Sequence, residues 1–150
     1  MTAAVNIHAS AVALGGRGVL IRGPAGSGKS ALVLSLLRRA PPPGLRVEFV
    51  ADDRVVATLA EGVVQLSAPD GLKGLLEIAG VGIVREPALP SVALWLVADL
   101  VPQETMPRHP APLRTEIAGV EAPLLRLPRK EAALSADILL TLAASGDLPG

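Results

Sequence analysis

The segment Gly23-Pro24-Ala25-Gly26-Ser27-Gly28-Lys29-Ser30 constrains the fold of this 150-residue chain more than any other stretch. It fits the spacing G-x-x-x-x-G-K-[ST], in which glycines let successive backbone N–H groups curl around phosphate oxygens. Such a loop works between a strand and a helix, because the helix N-terminus adds free N–H groups and its dipole. Both flanks are legible. Val19-Leu20-Ile21-Arg22 reads as a buried strand, and Ser30–Arg39 reads as a helix. Leu32 with Leu36, and Val33 with Leu37, share a helix face at i,i+4 spacing. Arg38 and Arg39 suit the negative end of the dipole, and Pro41-Pro42-Pro43-Gly44 stops the helix. In this setting Lys29 reaches the β- and γ-phosphates of a nucleotide, and the Ser30 hydroxyl ligates Mg²⁺. Three of the fourteen basic residues are lysine, so Lys29 stands against the chain's own preference for arginine.

The rest of the chain reads as many short strands. Val5–Leu14 and Val19–Arg22 flank Gly15-Gly16-Arg17-Gly18 as a hairpin. Strands are predicted at Arg46–Ala51, Arg54–Leu59, Gly62–Leu66 and Val92–Val97, with a glycine-broken apolar stretch from Leu72 to Val84. The proline-rich Pro102–Pro112 reads as an exposed loop, and Arg114–Ile117 with Pro123–Leu127 as a second hairpin. Lys130–Ala144 is predicted to be a helix, with Leu134, Ile138 and Leu142 on one face. One helix near each end of a run of short strands points to a single α/β domain over residues 1–150, built on a mixed β-sheet.

Composition removes several classes of function. The absence of cysteine excludes a disulfide scaffold, a thiolate zinc site and a cysteine nucleophile. Formal net charge is zero and the aromatic residues are Phe49 and Trp95, which argues against a nucleic-acid partner. The longest apolar run, Val92–Ala98, ends at Asp99, far short of the roughly 20 residues a spanning helix needs. Met1–Ser10 carries no Lys or Arg and so lacks a secretory n-region. A soluble cytoplasmic protein without a membrane partner is the expectation.

A phosphate loop needs an acidic partner to hold Mg²⁺ or activate a nucleophile. Two strands deliver carboxylates at their ends: Val47–Ala51 leads into Asp52-Asp53, and Val92–Ala98 leads into Asp99. Composition and spacing do not choose between them. His8 lies on an apolar strand, where a satisfied structural histidine is the commoner case. Glu77 interrupts an apolar stretch and must be exposed, paired or metal-bound. His109 lies among prolines and reads as solvent-exposed.

Taken in order, these segments resemble the HPr kinase/phosphorylase family. The likeness rests on His8, the run Gly15-Gly16-Arg17-Gly18 to Gly23, the loop ending Gly28-Lys29-Ser30, then Val50-Ala51-Asp52-Asp53, then Leu75-Leu76-Glu77-Ile78-Ala79-Gly80-Val81-Gly82-Ile83. It covers about residues 5–100 and is similar to short forms of the family that start at the kinase domain. The resemblance implies a phosphoenolpyruvate carboxykinase-like P-loop fold, assembled as a homo-oligomer, usually a hexamer. It implies an ATP- and Mg²⁺-dependent kinase that phosphorylates a serine of HPr, the phosphocarrier protein of the sugar phosphotransferase system. On the matching positions Asp53 would be the proton acceptor, His8 and Lys29 would be catalytic, and Ser30 and Glu77 would hold Mg²⁺.

The chain also departs from the family pattern. Where the family reads E-I-R-G, this chain reads Glu77-Ile78-Ala79-Gly80, and Thr105 falls near a further catalytic arginine. The P-x-R-P-G-R loop linked to the reverse, phosphorylase reaction reads Pro128-Arg129-Lys130-Glu131 here, which argues against that reaction. Two other readings stand beside the kinase. One is a P-loop phosphotransferase acting on another substrate. The other is a nucleotide-sensing regulatory module with little catalysis, favoured by the lost arginines and disfavoured by the retained Lys29, Ser30, Asp53 and Glu77.

Overall fold

A computed structural model describes residues 3–148, so Met1 and Thr2 of the charge-free N-terminal segment lie outside the described residues. Among the described residues, eleven strands and two α-helices follow one another. The strands are β1 (Ala3–Ile7), β2 (Ala9–Leu14), β3 (Arg17–Arg22), β4 (Val47–Ala51), β5 (Val55–Ala60) and β6 (Val63–Ser67). They continue with β7 (Leu75–Ile78), β8 (Gly82–Arg85), β9 (Val92–Val101), β10 (Leu113–Ile117) and β11 (Val120–Pro128). Helix α1 spans Lys29–Arg38 and α2 spans Ala132–Ser145.

Nine strands form one mixed sheet in the order β1-β5-β6-β9-β3-β2-β4, with β11 and then β10 continuing from β9. The β3–β9 and β9–β11 pairs are parallel, and the remaining pairs of this sheet are antiparallel. The mixed sheet is therefore as predicted. The ten-residue β9 belongs to both halves: its start pairs with β6 and its remainder with β3 and β11. Close packing of β3 on β9 demands a glycine, since a Cβ at Gly18 would lie 2.6 Å from the Ala93 carbonyl oxygen.

Two cores lie on opposite faces of the sheet. On one face, α1 and α2 bury Leu32, Leu36, Ala136, Leu139 and Leu140 against Val12, Ile21, Leu96 and Leu127. On the other face the sheet curls on itself. Small residues on β2 (Ala9, Ala11, Ala13) leave room there for Leu20, Val50, Leu66 and Val97. On the helix side, Arg17 ties α2 to the sheet. Its guanidinium lies 4.5 Å from the Trp95 ring centroid and donates to the Ala143 carbonyl in the last turn of α2, 2.5 Å away.

The structure departs from sequence expectation in two places. Val5–Leu14 is not one strand: it breaks at His8, and β1 and β2 pair with different neighbours. The second departure is the buried face of α2, which is Ser135, Ala136, Leu139, Leu140 and Ala143, whereas Leu134 is 49% exposed. The helix is apolar nearly all round, so leucine spacing alone does not mark the buried stripe. The close approach of α1 and the sheet selects the stripe that carries alanines. The predicted apolar stretch at 72–84 is a hairpin, β7–β8. The 102–112 segment is a loop with one 3₁₀ turn at Gln103–Thr105.

The revised α2 face is testable by chemical denaturation. Leu139→Ala is expected to cost about 2–5 kcal/mol, and Leu134→Ala less than about 0.5 kcal/mol. Equal losses at the two positions would contradict the packing described.

Candidate phosphate-binding and acidic site

The candidate phosphate loop joins β3 to α1, the setting its sequence predicts. Gly26 and Gly28 adopt φ of 81° and 100°, left-handed values that turn the backbone into the helix. Gly23 has no room for a side chain, because a Cβ would lie 2.5 Å from Ser27 Oγ. The loop is braced from behind by the β11–α2 connection, where the Lys130 N–H donates to the Ser27 carbonyl at 3.1 Å. Lys29 is 7% exposed and its ammonium donates to the carbonyls of Gly23 (2.7 Å) and Pro24 (3.3 Å). Burial lowers its pKa below 10.5, against the opposing pull of Asp53 and Asp52.

The acidic pair arrives by an interruption in a long antiparallel ribbon. Ile7 pairs with Val55 and Ala11 with Ala51, so residues 8–10 face residues 52–54 across a gap in the ladder. Side chains that a continuous ladder would place alternately are gathered here at one point. His8 Nε2 lies 3.0 Å from Asp53 Oδ1. The Asp53 carbonyl accepts the Ala9 N–H at 3.2 Å, and Asp53 itself holds a left-handed φ of 68°. Its side chain is 62% exposed, open to an incoming group.

Asp52 has the opposite environment. It is 5% exposed and accepts three donors: the Ser10 hydroxyl (2.7 Å), the Ser30 hydroxyl (2.9 Å to either oxygen) and the Glu77 N–H (3.0 Å). This one carboxylate therefore joins β2, the first turn of α1 and β7. Through Glu77 it joins the β7–β8 hairpin, which is held as well by Leu76, buried in the core, and by the Arg38–Glu86 ion pair, and whose base is closed by the Glu86 N–H donating to the Gly74 carbonyl.

These elements enclose a cavity of about 410 Å³, lined by His8, Gly26, Gly28, Lys29, Ser30 and Asp53 together with Leu34, Glu77, Ile78 and Ala79. His8, Lys29, Ser30, Asp53 and Glu77 are thus brought together. The alternative carboxylate, Asp99, is not among them. It is the register partner of Arg22 and receives two hydrogen bonds from that guanidinium, at 2.7 and 2.9 Å. Ser10 carried no signal in the sequence, because a serine in an alanine-rich strand is unremarkable until its partner is known. A second cavity of about 290 Å³, under the loop at Met106–Leu113, is lined mainly by apolar side chains with Arg114 and Arg126, and by no carboxylate or hydroxyl group.

The comparisons with known proteins agree with this architecture. The family described as HPr Serine kinase C-terminal domain matches residues 1–89. This chain belongs to that family. It is similar to the HPr kinase/phosphorylase of Limosilactobacillus reuteri, at 44% identity over 97 residues, covering 64% of this chain and 28% of that protein. It is similar also to that of Clostridium acetobutylicum, at 41% identity over 83 residues, covering 55% of this chain and 25% of that protein. The chain thus spans about a quarter of the length of the curated relatives it matches. Its fold superposes on the Hpr(Ser) kinase/phosphatase from Coxiella burnetii with a TM-score of 0.81 at 25% identity, covering 95% of this chain and 90% of that one. The family match covers the phosphate loop, the acidic pair and the hairpin, so the whole candidate site lies inside it. Among the described residues no helix is long and apolar enough to cross a membrane.

Two outcomes follow. Asp99→Asn is expected to lower stability by about 1–2 kcal/mol while leaving ATP affinity within about twofold, measured by denaturation and nucleotide titration. A large loss of affinity would reinstate Asp99 in the site. The second concerns pH. Because the folded pKa of Lys29 lies below the unfolded 10.5, the unfolded chain binds more protons between those two values. Wild-type stability relative to Lys29→Met is therefore expected to rise with pH through that window and level off above 10.5. A flat or falling difference would mean that the ammonium is not destabilised by burial.

Proposed function

We propose that this chain is an ATP-dependent kinase that transfers the γ-phosphoryl group to a serine of HPr. The observation that carries the reading is the joining of a phosphate loop to an acidic turn through one carboxylate. Ser30 is tied to buried Asp52, while the next residue, Asp53, opens into the same cavity beside His8. The family match and the names of the relatives supply the substrate class.

In this mechanism the backbone N–H groups of Gly23–Ser30 and the α1 N-terminus grip the phosphates. Lys29 exchanges its carbonyl partners for phosphate oxygens and offsets the charge spread over them. Asp53 accepts the proton of the attacking serine hydroxyl, and His8 fixes the direction of its carboxylate. The donor set at Ser30, Asp52 and Glu77 is all oxygen, which suits Mg²⁺. Ser30 and Glu77 would hold the ion, which neutralises phosphate charge when bound, and Asp52 orients Ser30 toward it.

The reverse, phosphorylase direction is proposed to be weak. The cavity wall carries Ala79 where the family has arginine, so Lys29 and His8 are its basic residues. Lys130, in the segment that replaces the P-x-R-P-G-R loop, has its backbone committed to Ser27. A cytoplasmic setting and assembly into a homo-oligomer belong to the same proposal.

The test is incubation with Mg²⁺-ATP and HPr, read as phosphoserine on HPr by intact mass and peptide mapping. Wild type is expected to transfer one phosphate. Asp53→Asn is expected to slow transfer by about 10²–10⁴-fold with ATP affinity unchanged. No transfer by wild type that still binds ATP would favour a nucleotide-sensing module or another substrate.

A further inference from the structure

We infer that Ser10 is a positioning residue for phosphoryl transfer, setting the geometry of both carboxylates of the acidic turn; the inference rests on the reading of Asp53 as proton acceptor. Ser10 is 0% exposed and lies on β2, where its backbone pairs with Ile21 of β3. That places it on a strand held from both sides, by β3 and by β4. Its hydroxyl does two things. It donates to Asp52 Oδ1 at 2.7 Å, and its oxygen accepts the Asp53 N–H in a longer contact of 3.4 Å. One hydroxyl group is thus both donor and acceptor to two successive residues of the turn.

The turn gains from such a support. Asp53 holds a left-handed φ of 68°, a conformation uncommon for residues with a side chain, though aspartate enters it more readily than most. The ladder is interrupted there, so strand pairing does not fix the Asp53 amide. Asp52 Oδ1 is shared between Ser10 and Ser30, which links the acidic turn to the phosphate loop through the same oxygen. Without the Ser10 hydroxyl, Asp52 is held by Ser30 and Glu77 alone, and the Asp53 amide loses its side-chain acceptor. The base then spends less of its time within reach of the substrate hydroxyl, which is a loss of orientation and not of binding.

The test compares Ser10→Ala with wild type, Asp53→Asn and the double variant, with HPr as acceptor. Ser10→Ala is expected to lower kcat at least tenfold, with KM for HPr and ATP affinity within about threefold. In the Asp53→Asn background the same change is expected to have no further effect, because the two residues act as a unit. The Asp53 amide is expected to exchange with solvent at least tenfold faster in Ser10→Ala, and Ser10→Thr, which keeps the hydroxyl, to recover most of kcat. An unchanged kcat, a loss confined to ATP affinity, or additive losses in the double variant would overturn the inference. If wild type itself fails to phosphorylate HPr, the kinase reading fails and the inference falls with it; if wild type transfers and Ser10→Ala matches it, the inference alone falls.

Discussion

A carboxylate withdrawn from water must be satisfied from within the protein or it destabilises the fold. Asp52 meets that requirement through three donors from three separate elements, and the site is arranged around the result. The Ser30 hydroxyl places the first turn of α1 against the acidic turn. The Glu77 N–H brings the β7–β8 hairpin to the cavity wall. The Ser10 hydroxyl anchors the turn to the central sheet. Removing one partner leaves a buried charge underpaired, so each contact adds to the stability of the others. Such a centre holds the phosphate loop and the acidic turn in a fixed relation before any ligand arrives, and preorganisation of this kind is what phosphoryl transfer asks of a protein.

Adjacent carboxylates acquire different tasks from their surroundings alone. Asp52 points inward and is enclosed by donors. Asp53, one residue later and with a left-handed backbone, turns outward beside His8 with most of its side chain in water. The gap between the Ile7–Val55 and Ala11–Ala51 pairs makes this possible, since a continuous ladder would have forced the two side chains to opposite faces of one sheet. The strand break at His8 is the same feature seen from the other side of the ribbon. Structure and chemistry share one interruption: where the chain passes from one half of the sheet to the other, it also assembles the site.

Much of this was legible in the residues. The spacing of Gly23–Ser30 between an apolar run and an i,i+4 helix pattern predicted a glycine-rich loop between a strand and a helix, which is where it lies, and the Gly15-Gly16 pair marked the β2–β3 turn. The mixed sheet followed from many short strands with a helix near each end. Other features depended on partners distant in sequence. Nothing near Asp99 announces that Arg22, 77 residues away, claims it once β3 and β9 pair in parallel. The break at His8 is invisible in an apolar run, because it is defined by which strands pair on either side. The buried stripe of α2 does not coincide with the face that Leu134, Ile138 and Leu142 share, because close approach to α1 and the sheet favours the stripe that carries Ala136 and Ala143. Ser10 escaped notice for the reason Asp52 did not: a carboxylate at a strand end attracts attention, and a serine within one does not.

Hydrogen exchange at the Glu77 amide, measured in wild type and in Asp52→Ala, tests the central claim most directly. That amide has the Asp52 carboxylate as its acceptor, so its protection reports the tie between hairpin and acidic turn. We expect it to be protected in wild type and to exchange much faster in Asp52→Ala, together with faster exchange across residues 23–30, while β3 and β9 amides in the sheet interior keep their protection. Unchanged exchange at Glu77 and in the phosphate loop of the Asp52→Ala protein would mean that these elements are held by other contacts, and that Asp52 is not the centre of the site.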